Sequence, residues 1–247
     1  VLRADGRYLT DVWTDEAVSF VERRAGGGPF FLSLNYNAPH TPLQSPEEDT
    51  AHFLEDGRFN EGVAKLYGMI RRMDSGVARV LDALDRTGQR DNTVVVFTSD
   101  NGPKFGRVSP ENGGWDITRF NCQYAGAKGT TYEGGIRVPG IIRWPAGLSG
   151  GRTIDHMVHF TDWFPTLLSA IGIEPPADLN LDGSDIWPVL QGLNDQVETR
   201  RFWQWNRVTP EITSNAAMRD GDWKLVRPGI SEVMRMTDND GLHTSMY

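Results

Sequence analysis

The chain has 247 residues, 38% hydrophobic and 23% charged, with 25 Lys+Arg against 33 Asp+Glu and a formal charge of −8. That length suits one large domain, or one domain plus a small one, and can bury a sizeable core. The acidic balance weighs against non-specific nucleic-acid binding, which rests on Lys and Arg neutralising phosphates. The single cysteine, Cys122, excludes an intramolecular disulfide framework and any multi-cysteine zinc site. No apolar run approaches the ~20 residues that cross a bilayer.

In chain order, Thr14–Arg24 reads as a helix, with Thr14 as N-cap, Asp15 and Glu16 in its first turn and Arg23 and Arg24 at its end. Gly26–Pro29 breaks the chain, and the nearly continuous apolar run Phe30–Leu34 predicts a strand buried on both faces. Residues 61–87 predict a long amphipathic helix. Leu66, Met69, Ile70, Met73, Val77, Val80, Leu81 and Leu84 form one stripe, and Gly88 supplies the stop. Thr93–Thr98 (TVVVFT) predicts a second central parallel strand. A glycine-rich loop, Gly102–Gly129, follows, then a short strand at Gly140–Trp144 and a helix at Thr161–Ile171. Beyond Pro175-Pro176 the texture changes, and Met218–Val226 predicts a hairpin turning at Asp220-Gly221. The alternation of helices and apolar strands predicts an α/β fold with a mostly parallel central sheet flanked by helices, followed by a small C-terminal α+β subdomain.

Three places concentrate chemistry. Ser99-Asp100-Asn101-Gly102 ends an apolar strand, where α/β sheets bind ligands. A carboxylate beside an amide carbonyl offers hard oxygens to Ca²⁺ or Mg²⁺, although Asp-Asn-Gly is also ordinary turn chemistry. Pro39-His40-Thr41-Pro42 holds an imidazole between two prolines, suited to an anion or to acid–base work, or simply to a loop carbonyl. In the run from Gly126 to Pro139 (GAKGTTYEGGIRVP), Lys128 is flanked by small residues and Arg137 follows a Gly-Gly pair. Two cations in a glycine-rich loop can stabilise an anion, or they are solvated surface charges.

Taken together and in order, APHTPL, VVFTSDNG and GAKGTTYEGGIRVP resemble the sulfatase family of the alkaline-phosphatase superfamily. The later segments TDWFPTLLSAIGI, LDGSDIWPVL and DGDWKLV extend the resemblance over nearly the whole chain. It implies an alkaline-phosphatase-like fold, with residues 1–192 as the C-terminal part of the catalytic α/β domain and 193–247 as the start of a small antiparallel-sheet subdomain. It implies that Asp100 and Asn101 ligate a divalent cation, Ca²⁺ or Mg²⁺. By the same resemblance His40 contacts the sulfate or its leaving oxygen, Lys128 bridges toward the sulfate, and Arg137 and Glu133 are structural. The substrate it implies is a sulfate ester, either an aryl sulfate or a sulfated glycan, and export from the cytoplasm goes with it.

One element of the family pattern is missing. Sulfatases make a formylglycine nucleophile from Cys or Ser in a Cys/Ser-x-Pro-x-Arg motif, which this chain lacks, and Cys122 sits in Asn-Cys-Gln-Tyr-Ala instead. The early pair of aspartate ligands is absent as well. Motif order puts both upstream of Val1, so the chain is expected to be a fragment cut at both ends, inactive alone. Two other functions stay open. One is a phosphoester or phosphonate ester hydrolase of the same superfamily, disfavoured by Asn101 where such relatives often carry His. The other is a non-catalytic binder of sulfated glycans. The loop Pro103–Tyr124 is expected to wall the pocket, with Trp115 and Phe120 as stacking faces and Lys104 and Arg107 as candidate contacts to a polyanion. His40, Asp100, Asn101 and Lys128 are expected at the carboxyl edge of one parallel sheet.

Overall fold

The computed structural model describes residues 6–55, 57–194, 197–206 and 214–229. The chain forms two compact units, one of Val1–Val94 with Lys104–Cys122, the other of Val95–Pro103 with Gln123–Tyr247.

The first unit is built on helices α1 (Leu9–Arg23), α2 (Glu47–Leu54) and α3 (Glu61–Arg86). Helix α3 keeps its predicted span. The Asn60 side chain accepts from the Val63 amide at 2.9 Å and caps its start. At its end Gly88 takes φ 70° and the Gln89 amide returns to the Leu84 carbonyl at 2.9 Å. Leu66 and Met69 on its apolar stripe pack with Ala38, Leu43 and Ile117. Helix α1 starts earlier than predicted, and Thr14 is no cap. It is fully buried, and its hydroxyl donates to the Thr10 carbonyl at 2.8 Å while lying 2.8 Å from the Tyr36 hydroxyl. A threonine inside a helix can back-bond in this way, so its presence alone does not mark a start. The close approach of α1 to α3 depends on Gly76, where a Cβ would stand 2.4 Å from the Thr14 hydroxyl. Helix α2 was not anticipated. Its buried Asp49 is gripped by two cations of α3, Arg71 Nη1 at 2.5 Å and Arg72 Nε at 2.6 Å.

The Phe30–Leu34 run is not a strand of any sheet among the described residues. Its side chains alternate, Phe30, Leu32 and Leu34 half-buried against an exposed Phe31 and Ser33, so only one face is covered. Phe31 is 83% exposed, while Phe30 meets Phe20 of α1 edge-on at 5.5 Å. Burial on the second face depends on a layer that the run itself does not specify.

In the second unit, β1 (Val95–Thr98) pairs with β2 (Gly140–Arg143), and β3 (Arg200–Gln204), β4 (Ala216–Asp220) and β5 (Trp223–Arg227) form a three-stranded sheet in that order. Every one of these pairings is antiparallel, with Thr98 opposite Gly140 in the first ladder. The α/β class holds, but the parallel pairing expected of β1 is not found among the described residues. Its β-branched composition suits either ladder, and the neighbour decides. Helices α4 (Glu133–Ile136), α5 (Trp163–Ala170) and α6 (Trp187–Gln191) complete the unit. Ile186, Trp187 and Leu190 centre its core, drawing in Ile142, Trp144 and Trp163. The predicted hairpin is β4–β5, with Gly221 at φ 56° in its turn.

Candidate active site

In the second unit the chain leaves β1 through Ser99, Asp100, Asn101 and Gly102. Asp100 is exposed and Asn101 half-buried. The Asn101 Nδ2 donates to the Gly102 carbonyl at 3.0 Å, which orients the amide and keeps its Oδ1 as an acceptor. Gly102 is fixed by close approach, since a Cβ there would stand 1.9 Å from the Gly134 carbonyl oxygen. With no side chain in the way, the Gly102 amide donates to the Gly135 carbonyl at 2.8 Å, and the Lys128 amide donates to the Pro103 carbonyl at 2.9 Å. These two bonds lay the Lys128 loop alongside the turn that carries Asp100 and Asn101.

The loop is folded tightly on itself. Gly126 and Gly129 hold positive φ of 78° and 90°. The Thr130 amide donates to the Ala127 carbonyl at 3.0 Å and the Gly134 amide to the Ala125 carbonyl at 2.7 Å. Lys128, half-buried, sits between the two glycines. Glu133 accepts from Lys224 Nζ at 2.7 Å, and Arg137 lies 4.0 Å from Glu133 with its guanidinium over the Tyr124 ring at 5.0 Å. Burial draws the Lys224 ammonium below its usual pKa against the opposing pull of Glu133.

Asp100, Asn101 and Lys128 are thus joined through backbone at one end of β1. His40 belongs to the first unit. Its amide donates to the Asn37 carbonyl at 2.9 Å, and its Nδ1 lies 2.9 Å from the Thr41 carbonyl, which can only accept. In that contact Nδ1 is the donor, and the imidazole is exposed. Asp100 and the Asn101 Oδ1 are hard oxygens and fit a Ca²⁺ or Mg²⁺ ion as part of its donor set. Among the described residues no three or more of His, Cys, Asp and Glu are grouped to hold a metal.

Trp115 departs from its expected role. It packs against the Ala38–Met69 core with Lys65 Nζ over its ring at 4.9 Å, and its Cβ closes on Gly62, so it serves the fold of the first unit. Phe120 is 73% exposed. A cavity of about 500 Å³ in that unit is lined by Phe53, Phe59, Tyr67 and neighbours, and by none of the four site residues. Residues the sequence did not single out also reach the Lys128 loop: Asn215 Nδ2 donates to the Gly129 carbonyl at 2.8 Å. Only a contact 86 positions distant gives Asn215 this place, so no local motif marks it.

The sulfatase family model matches residues 2–173, and the model for the C-terminal region of N-sulphoglucosamine sulphohydrolase matches residues 127–238. The chain is 38% identical to steryl-sulfatase of Mus musculus over 185 residues, 74% of this chain and 28% of that protein. The crystal structure of Ps i-CgsB in complex with k-i-k-neocarrahexaose is 34% identical, with a TM-score of 0.75 over 90% of this chain and 46% of the other. The phosphonate monoester hydrolase SpPMH from Silicibacter pomeroyi shares the fold, at 21% identity and a TM-score of 0.65 over 92% of this chain and 55% of the other. The chain spans about a third of the length of curated sulfatases such as steryl-sulfatase, 28%, and arylsulfatase J of Mus musculus, 39%.

Proposed function

Since the chain belongs to the sulfatase family, we propose that the whole protein hydrolyses sulfate monoesters and that Asp100, Asn101, Lys128 and His40 are this chain's share of the site. The observation that carries this is the pair of backbone bonds holding the Lys128 loop against the Asp100–Asn101 turn. They run the backbone of the loop that carries a cation alongside the turn that carries two hard oxygens, which supports a site for an anionic group with several oxygens, such as a sulfate ester. Residues 1–192 are assigned to the catalytic domain and 193–247 to the small subdomain.

Asp100 and Asn101 would hold a divalent cation, which when bound supplies Lewis-acid stabilisation of sulfate oxygens and of an ionised nucleophile. The nucleophile, a formylglycine by family, is not encoded in this chain, whose sequence lacks Cys/Ser-x-Pro-x-Arg. What this chain does is bind and neutralise. Lys128, held in a loop that does not need to reorganise, offsets charge on the sulfate oxygens. His40, with its Nδ1 held by the Thr41 carbonyl, is assigned to offset charge on the ester oxygen as its bond to sulfur breaks.

The test is steady-state kinetics of the full-length protein on a generic aryl sulfate, an aryl phosphate and an aryl phosphonate. Lys128→Ala and His40→Ala are each expected to lower kcat ~10²–10³-fold on the sulfate, or ~2.7–4 kcal/mol. Near-normal turnover by Lys128→Ala removes its assigned role. A wild-type preference for the phosphonate or phosphate moves the protein to an ester hydrolase of another class. Binding of sulfated glycan without turnover makes it a lectin-like binder.

A further inference from the structure

We propose that Asn215 is a positioning residue for Lys128, through which the C-terminal sheet sets the geometry of the sulfate-contacting loop. This rests on the role given to Lys128 above. Asn215 lies just before β4, is only 7% exposed, and adopts φ 48°, a conformation that Asn tolerates better than most residues. Its Nδ2 donates twice, to the Gly129 carbonyl at 2.8 Å and to the Trp205 carbonyl at 2.9 Å. Its backbone carbonyl accepts from the Trp205 amide at 3.0 Å. One buried amide thus joins the end of β3, the start of β4 and the residue after Lys128.

Two further contacts come from the same sheet. The Trp205 ring lies against Gly129, where a Cβ would stand 3.5 Å from it. Lys224 of β5 reaches Glu133 at 2.7 Å while its Nζ lies 5.5 Å from the Trp203 ring centroid. The Lys128 peptide is therefore pinned on both sides: its amide by the Pro103 carbonyl at 2.9 Å, and the next carbonyl by Asn215 at 2.8 Å. A residue left rotatable at either peptide would lose the near-fixed placement on which charge stabilisation depends. The unusual backbone angle fits a side chain kept for where it reaches, since strain of this kind persists where the surroundings over-determine it.

The experiment is a double-mutant cycle in the full-length protein with an aryl sulfate. Asn215→Gly removes both donors yet suits the positive φ, so the backbone is not strained. It is expected to lower kcat about tenfold to a hundredfold, the scale set by small misplacements of a catalytic group, with KM changed less than about twofold. In the Lys128→Ala background the same change is expected to cost less than about twofold, because the group being positioned is gone. Amide hydrogen exchange over residues 126–133 should quicken in Asn215→Gly while that of α5 does not. Equal losses in both backgrounds overturn the proposal and leave Lys128's own role standing. Normal turnover by Lys128→Ala overturns the role on which the proposal rests, and is read from the single variant alone. If Asn215→Gly does not fold, Asn215→Asp, which fits the same φ but turns the donors into an acceptor facing two carbonyls, goes through the same cycle with the same deciding ratio.

Discussion

Asp162 is fully buried and accepts from the His159 amide at 2.7 Å, the Ser184 amide at 2.9 Å and Arg201 Nη2 at 2.8 Å. Beside it, His159 Nδ1 accepts from the Thr161 amide at 3.4 Å and lies 2.8 Å from the Thr161 hydroxyl, capping the turn that leads into α5. An acceptor nitrogen must be unprotonated. Burial, and to a lesser degree the Arg201 charge, lower the His159 pKa below its ordinary 6.5, with Asp162 pulling the other way. The sign follows directly. Well above 6.5 the imidazole is neutral whether folded or not, and its contribution is complete. As pH falls through the ordinary value, the unfolded chain takes up a proton that the fold resists, and stability declines until the lower folded pKa is passed. Urea midpoints measured from about pH 7.5 to about pH 5.5 should therefore fall in the wild type, and fall less steeply in His159→Gln. An unchanged slope in the variant would clear His159 of this effect.

At the scale of elements, α2 is fastened to α3 by two carboxylates, the buried Asp49 and the exposed Glu48, and by Phe53 packed on Tyr67. Asp49 is 4% exposed, whereas the Arg71 side chain is 45% exposed and that of Arg72 26%. Asp49→Ala leaves two guanidiniums that can partly rehydrate, so the cost falls below that of breaking a fully buried pair, at about 2–3 kcal/mol. Thermal melting should show a drop of roughly 5–10 °C, with loss of protection in α2 before α3. A drop under a degree would mean that aromatic packing around Phe53 and Tyr67 suffices. The sequence announced α3 through its period and its stop at Gly88, because both are local properties. It announced the Asp100 turn and the Lys128 loop for the same reason: the glycines that let backbones meet at 2.8 Å are written next to the charges they serve. It did not announce α2, whose anchor is 22 positions from Arg71, nor the antiparallel partner of β1, nor Asn215. Each of these depends on what a residue meets across the fold, and Trp115 was misjudged because an aromatic in a loop looks the same whether it faces a ligand or Lys65.

For the molecule as a whole, metal binding separates what this chain holds from what a complete site needs. Ca²⁺ takes about 6–8 oxygens, of which Asp100 and Asn101 are two candidate side chains. A complete site saturated at ~100 times its dissociation constant adds ~2.7 kcal/mol, or roughly 5–10 °C in melting temperature. The 247-residue chain by itself is expected to shift by on the order of a degree in millimolar Ca²⁺ relative to EDTA. A shift of full size would reveal ligands beyond this pair. No helix among the described residues is long and apolar enough to cross a membrane.

The tie between Asn215 and Gly129 spans 86 positions and that between Lys224 and Glu133 spans 91. On a ribosome adding ~5–20 residues per second, the loop bearing Lys128 is made several seconds before the strands that hold it. During that interval β1 and β2 can already pair, but the cationic loop lacks its outer clasp. Completion of this loop therefore runs opposite to the order of synthesis: strands made later, β4 and β5, clasp a loop made before them. Translation pausing or proteolysis between the two would leave protein that holds Lys128 but has not yet fixed where it stands.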